Sequence, residues 1–278
     1  MSGPVPGAPI PMPASLMLVG AGKMGGAMLA GWLEAGLDPA TTVVLDAAPS
    51  EATTRLCADR GVALNPDRPA PASVLVLAIK PQGLDGAAPA LNRLIGPETL
   101  LVSVLAGKTT ADLKARLPAA RAIVRAMPNL PASIGRGATG AFPNAAVTPA
   151  QRAAAGGLLA ATGTTVWLDD EAAIDAVTAV SGSGPAYVFL MVEALTEAGI
   201  AAGLPPEVAG RLARATVTGA GALLEADPAE AAALRQAVTS PGGTTAAALA
   251  VLMAEDGLPA LMRRAVAAAK HRAGELSG

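Results

Sequence analysis

The sequence predicts a doubly wound α/β domain with a mostly parallel sheet over residues 15–170, then an all-helical domain over 171–278. Three observations predict this. An apolar run at 16–19 opens directly onto Gly20-Ala21-Gly22-Lys23-Met24-Gly25 and a helical pattern. Short apolar runs then alternate with helical stretches to about residue 170, the pattern of a parallel sheet with helical crossovers. From Glu171 onward only helical patterns appear, broken by Gly and Pro.

The bulk properties agree. The 278 residues suffice for two domains. They are 52% hydrophobic but only 2% aromatic, so the cores must be Ala, Val, Leu and Gly. Twenty basic and 22 acidic residues give a net charge of −2 with no basic stripe, which argues against a nucleic-acid partner. No apolar run reaches the roughly 18 residues that span a bilayer. Cys57 is the single cysteine, which excludes an intrachain disulfide and fits a reducing cytoplasm. Residues 1–14 are rich in Pro and Gly and lack a basic n-region, so a disordered tail is expected there rather than a signal peptide. His271 is the only histidine, so no His-cluster metal site is expected.

In the first half, the glycines after the opening strand have separate tasks. Gly20 makes the tight turn, Gly22 lets the backbone approach a pyrophosphate, and Gly25 lets helix and strand pack closely. The helical pattern at 27–34 stops at Gly36, and a second strand follows at 42–45. It ends at Asp46, which suits hydrogen bonds to the adenosine ribose and repels a 2′-phosphate. Ala47 and Ala48 offer no guanidinium, so local chemistry leans towards NADH over NADPH. The alternative is that Asp46 caps the helix near Glu51. A helix at 51–60 stops at Gly61, and a short strand at 62–64 ends at Asn65. Residues 74–79 read as a strand buried on both faces, which must leave the sheet at Lys80-Pro81. Ligands of open α/β sheets lie beyond the carboxyl ends of the strands, which puts Asn65 and Lys80 on the cofactor side. Further strands are expected at 100–104, before Leu105-Ala106-Gly107, from 122, leading into Arg125-Ala126-Met127-Pro128-Asn129, and at 166–168. Arg125 and Lys80 each either balance pyrophosphate charge or form structural ion pairs.

In the second half, helices are expected at 172–180, 186–201, from Pro205-Pro206 to about 226, 228–238, 244–255 and 258–273. Ser181-Gly182-Ser183-Gly184-Pro185 interrupts the first two, either as a plain helix break or as a wall of the site. So many Ala- and Gly-rich helices with few charges point to apolar surface buried between subunits. The most informative stretch is Thr239-Ser240-Pro241-Gly242-Gly243-Thr244-Thr245. Pro241 suits a first helical turn, and the two glycines leave the backbone bare. Free N–H groups and the positive end of the helix dipole then face an anion, with hydroxyls at short reach. This is read as a grip on a small carboxylate; helix capping is the plainer use of the threonines.

With these pieces in place, the sequence resembles the pyrroline-5-carboxylate reductases over essentially the whole chain after residue 15. The matching pieces are Gly-Ala-Gly-Lys-Met-Gly at 20–25, Ala-Ile-Lys-Pro at 78–81, Arg-Ala-Met-Pro-Asn at 125–129, Val-Ser-Gly-Ser-Gly-Pro-Ala-Tyr at 180–187 and Thr-Ser-Pro-Gly-Gly-Thr-Thr at 239–245. The resemblance implies reduction of 1-pyrroline-5-carboxylate to L-proline by NADPH or NADH, the final step of proline biosynthesis. It implies a Rossmann domain and a helical domain forming an interlocked dimer, often assembled into a decamer. By matching position, Gly20, Gly22, Lys23 and Met24 would line the dinucleotide. Asn65, Ala78, Ile79, Lys80 and Pro81 would meet its ribose and pyrophosphate, with Ala106 near the nicotinamide. Glu171, Ser240, Gly243, Thr244 and Thr245 would meet the substrate, although Glu171, opening a helix, has a plainer use in satisfying the helix dipole. Thr245 would hydrogen-bond the ring nitrogen, holding it or relaying its proton, and Ser240 the carboxylate. Two departures stand out: Asp46-Ala47 where the family often has Ser, Thr or Asn, sometimes followed by Arg, and Leu130 in place of a threonine.

Two rival readings differ in class. A β-hydroxy acid reductase needs a general-base lysine in the helical domain, where Lys270 is the only lysine. A nucleotide-sensing protein needs the glycine loop but has no use for the 239–245 turn.

Overall fold

Four consecutive apolar residues, all buried, make Leu16–Val19 (β1) a strand covered on both faces. The structure, a computed structural model, describes residues 11–277. Most of the expected tail lies outside them. Residues 11–14 have no regular structure, yet Pro13 is buried and Met12 packs against the core, so they do not behave as a free tail.

The chain continues through Lys23–Glu34 (α1), Thr42–Leu45 (β2), Glu51–Arg60 (α2), Ala63–Leu64 (β3) and Val74–Leu77 (β4). Then come Leu84–Asn92 (α3), Leu100–Ser103 (β5), Thr110–Arg116 (α4), Ala122–Met127 (β6), Gly137–Pro143 (β7), Pro149–Ala160 (α5) and Gly163–Trp167 (β8). The eight strands form one sheet in the order β3-β2-β1-β4-β5-β6-β7-β8. Every neighbouring pair is parallel except β6 with β7. The order reverses between β1 and β4, so the crevice for a ligand opens beyond the carboxyl ends of those two strands.

Side chains alternate across a strand, and the core divides accordingly. Leu16 and Leu18 join Met28, Trp32, Cys57, Ala155 and Leu158 on one face. Met17 and Val19 join Leu84, Leu91, Leu101, Leu113 and Ile123 on the other. Trp32 is fully buried, and its indole N–H donates to the Leu158 carbonyl at 2.7 Å, tying α1 to α5. Truncation of a tryptophan so placed costs about 3–5 kcal/mol.

The strand β7 was not expected. Its sequence, Gly-Ala-Thr-Gly-Ala-Phe-Pro, reads as loop. Glycines of β7 and of its neighbour β8 instead permit close packing: a Cβ on Gly140 would lie 2.7 Å from the Val177 side chain, and one on Gly163 only 2.1 Å from the Gly137 carbonyl.

The expected change at residue 170 marks where strands end. Compact packing divides elsewhere, into Met1–Gly182 with Lys270–Gly278, and Ser183–Ala269. The short helix Ala173–Val177 (α6) and the π-helical segment Thr178–Gly182 therefore go with the sheet. Asn129 explains part of this: its side-chain N–H donates to the Ser181 carbonyl at 3.0 Å while its oxygen accepts from Ala138 N–H at 2.9 Å.

The other unit is built from Gly184–Ala201 (α7), Pro206–Ala226 (α8), Ala231–Ala237 (α9), Thr244–Leu252 (α10) and most of Leu258–Ser277 (α11). Helices α7 and α8 pack at close range because Gly199 faces Ala209, where a Cβ would find the Ala209 methyl at 3.2 Å. No residue of α7, α9 or α10 is buried, and Phe189, Leu190, Leu212, Val251 and Met253 are all exposed. Helices this apolar need a covering surface. No described helix is long and apolar enough to cross a membrane.

Candidate active site

The glycine loop is built from the backbone outward. Gly20 has φ +90°, open to glycine, and its backbone sits so close to β4's exit that a Cβ would lie 2.8 Å from Ala78 and Ile79 backbone atoms. At Gly25 a Cβ would be 2.1 Å from the Gly20 carbonyl oxygen, which fixes the approach of α1 to the loop. At Gly22 a Cβ would meet nothing within 4 Å. Gly22 is also the N-cap of α1 and supplies no side-chain cap, so the first-turn N–H groups face outward. Open space, bare amides and a helix N-terminus together suit a pyrophosphate.

Asp46 does more than end β2. Its Oδ2 accepts the Ala21 N–H at 2.6 Å and its Oδ1 accepts the Ala48 N–H at 2.8 Å. The Ala21 carbonyl is held in turn by the Thr53 hydroxyl at 2.9 Å, and Thr53 is buried. Sequence reasoning missed Thr53. Ser50 accepts the Thr53 N–H as the N-cap of α2, so the alternative role for Asp46, capping that helix, falls away.

Asn65 takes φ 49°, a conformation asparagine tolerates better than most side chains. Both ends of its amide engage Asp46: Oδ1 accepts the Asp46 N–H at 2.9 Å and Nδ2 donates to the Asp46 carbonyl at 2.8 Å. Asn65 thus sets Asp46, which sets the glycine loop. Lys23, Lys80 and Ala106 are exposed, Met24, Ala78, Ile79 and Pro81 partly so. Together with the glycine loop they ring the exits of β1, β4 and β5.

Glu171 is engaged by the chain itself. Its Oε1 accepts the Thr110 N–H at 2.7 Å and the Arg125 guanidinium at 3.2 Å, and its Oε2 accepts the Thr110 hydroxyl at 2.6 Å. Glu171 is thereby tied to the start of α4 and to β6. Arg125 is buried on β6 and takes the structural ion-pair role of its two expected alternatives.

In the helical unit, Ser240-Pro241-Gly242-Gly243 forms a β-turn closed by Gly243 N–H to the Ser240 carbonyl at 3.0 Å. Gly242 has φ +69°, as the third position of a type II turn requires, with Pro241 at the second. Pro241 therefore belongs to this turn and not to the helix, which opens three residues later at Thr244. The Gly243 N–H is spent on the turn; those of Thr244 and Thr245 lie in the first helical turn, where helical amides lack partners. Helix α10 has no side-chain cap. Among the described residues the hydroxyls of Ser240, Thr244 and Thr245 bond to no other group of the chain, whereas Thr239 donates to the Arg235 carbonyl. Capping, the plainer use of these threonines, is not what they do.

A glycine loop at the switch point of a doubly wound sheet, joined to an apolar helical unit with a bare hydroxyl-rich turn, defines a Rossmann-type oxidoreductase architecture with a helical association domain. Comparison with known proteins narrows this. Residues 171–276 match the family of pyrroline-5-carboxylate reductase dimerisation domains, and residues 15–107 match the NADP oxidoreductase, coenzyme F420-dependent family. Pyrroline-5-carboxylate reductase of Pseudomonas aeruginosa is 42% identical over 94% of this chain and 96% of its own. The Mycobacterium tuberculosis enzyme is 38% identical over 95% and 97%. The solved pyrroline-5-carboxylate reductase of Coxiella burnetii superposes with a TM-score of 0.88 at 37% identity, covering 95% of this chain and 98% of that one. The chain belongs to the pyrroline-5-carboxylate reductase family, and it carries that family's dimerisation domain.

Proposed function

We propose that this chain reduces 1-pyrroline-5-carboxylate to L-proline at the expense of NADH or NADPH, the closing step of proline biosynthesis. The observation that carries the reading furthest is the turn at 240–245: bare amides and three unpartnered hydroxyls at a helix N-terminus, in a chain whose other unit holds a dinucleotide-type glycine loop. A small carboxylate is what such a turn binds.

The residues divide the work. The amides at the start of α1, with Gly20, Gly22, Lys23, Met24 and Gly25, hold the pyrophosphate, and Asp46 meets the adenosine ribose. Ala78 to Pro81 and Ala106 line the cofactor's path. The reduced nicotinamide supplies a hydride when bound. Ser240 and the Thr244 and Thr245 amides hold the substrate carboxylate, with Gly242 and Gly243 leaving room for it. Thr245 directs its hydroxyl to the ring nitrogen. A threonine hydroxyl is a weak acid, so its task is orientation, and solvent delivers the proton to an imine that protonates readily. Proximity and orientation of this kind supply roughly 7–11 kcal/mol in favourable cases.

Asp46 favours NADH, because its carboxylate would face a 2′-phosphate at close range. Replacement Asp46→Ser is expected to raise the NADPH-to-NADH ratio of kcat/KM. It is also expected to weaken both cofactors, since the Ala21 N–H loses its 2.6 Å acceptor. An unchanged ratio would mean that the carboxylate does not face the ribose. The reading extends to an interlocked dimer through α7 to α11, assembled further into a decamer, and to a cytoplasmic location.

Mixing the chain with 1-pyrroline-5-carboxylate and NADH, then with NADPH, tests the function. Cofactor oxidation matched by L-proline formation is expected with at least one of them. Oxidation of neither overturns the proposal.

A further inference from the structure

The loop between β5 and α4 carries Ala106, the residue expected beside the nicotinamide, and it is tied at two points within the sheet-containing unit, one of them backed by a buried arginine. At its far end, Thr110 gives both its N–H and its hydroxyl to Glu171, at 2.7 and 2.6 Å. In its middle, Gly107 has φ +68° and lies against the last turn of α11, where a Cβ would sit 2.6 Å from the Leu276 carbonyl oxygen. Behind it, the buried Arg125 on β6 bonds Glu171 at 3.2 Å and approaches Asp175 at 4.0 Å. Asp175 also accepts the Ser277 hydroxyl at 3.3 Å, which closes the circuit back to α11. A buried guanidinium is costly unless fully paired, so this circuit stands or falls as a unit.

We propose that the Arg125–Glu171–Thr110 chain, locked by Leu276 and Ser277, is a positioning device that fixes the Ala106–Gly107 loop for hydride transfer. The proposal rests on the functional reading above, in which this loop flanks the nicotinamide. None of these side chains is a catalytic residue. Thr110 and Gly107 act on the loop directly; Arg125 acts through Glu171, and Ser277 through Asp175. The ends of the loop are also anchored, Leu105 in the core and Thr109 in the capping box with Asp112, which leaves Gly107 and the exposed Ala106 to be set by Leu276 and the Thr110 bonds.

The test uses the full chain with Thr110→Val, Thr110→Ser and Glu171→Ala, and a fourth variant ending at Glu275. Thr110→Val, Glu171→Ala and the shortened chain are expected to lose about tenfold in kcat. In these, the KM for the imine and the dissociation constant of ADP-ribose, which lacks the nicotinamide, stay within about twofold of wild type. Thr110→Ser, which keeps the hydroxyl, retains kcat. Amide exchange across 104–112 is expected to quicken about tenfold or more in Glu171→Ala. Should Glu171→Ala fail to fold, Thr110→Val and the shortened chain decide the matter. Unchanged kcat in those two, or a loss of ADP-ribose binding parallel to the loss of kcat, overturns the proposal. So does unchanged exchange at 104–112 in a folded Glu171→Ala. A wild-type chain inactive on the imine would count against the function itself, and the exchange measurement would still judge the clamp.

Discussion

At the scale of single residues, two glycines three positions apart make opposite demands. Gly25 has no room for a methyl group, since the nearest obstacle is the Gly20 backbone oxygen at 2.1 Å. Gly22 has room on every side and an ordinary φ of −67°. Gly25→Ala is therefore expected to destabilise the fold by about 1–3 kcal/mol, the cost of overpacking against backbone. Gly22→Ala should leave the melting temperature within a degree or two and weaken cofactor binding about tenfold or more, by filling the space a phosphate needs. Thermal melting with NADH titration separates them; equal losses of stability would show that the space at Gly22 serves the fold. The motif itself was legible from spacing alone. The residues that hold it were only partly so. Asp46 stood out by its place at a strand end, but its bond to Ala21 and the part of Thr53 depend on contacts 25 and 32 residues apart in sequence. The bonds of Glu171 were hidden for the same reason, its partners Thr110 and Arg125 lying 61 and 46 residues away.

Elements were legible where local chemistry decides them. The helices at 51–60 and 206–226 begin and end where caps and prolines place them, with Ser50 and Gly61 bracketing the first and Pro205-Pro206 opening the second. The strand β7 was hidden because a glycine-rich run gains its pairing from neighbours, not from β propensity. The break at 181–185 was visible, but its geometry, a π-helical turn closed by Asn129, was not. Helix α4 illustrates how a cap sets a pH response. Thr109 and Asp112 form a capping box. Burial pushes the Asp112 carboxyl up, but hydrogen bonds from Thr109 and the charges of Arg116 and Lys108 outweigh it and hold the group below its ordinary 3.8. A depressed carboxyl stabilises the fold above its unfolded value, and the gain fades as pH falls through the folded one. Asp112→Asn is thus expected to lower the denaturation midpoint at pH 6, with the gap to wild type narrowing below pH 3.8. A gap that stays constant from pH 6 to pH 3 would assign the effect to packing.

For the whole molecule, the division of labour follows from composition. Aromatic-poor helices with apolar faces left open cannot complete their own core, and the dimerisation family matched over 171–276 accounts for what covers them. On the proposed function, the sheet unit supplies a cofactor cradle from backbone and one carboxylate, and the helical unit supplies a turn with free amides and hydroxyls. The central claim is that these tasks are separate. It is tested most directly by measuring, in Ser240→Ala and Thr245→Ala, the KM for 1-pyrroline-5-carboxylate beside the dissociation constant for NADH. Loss of a hydrogen bond to a charged group is worth about 1.5–3 kcal/mol, so Ser240→Ala should raise the KM by about tenfold or more. Thr245→Ala should lower kcat through poorer orientation of the ring. NADH affinity should stay within about twofold in both. A loss of NADH affinity matching the loss of substrate handling would contradict the account, because the turn would then belong to the cofactor.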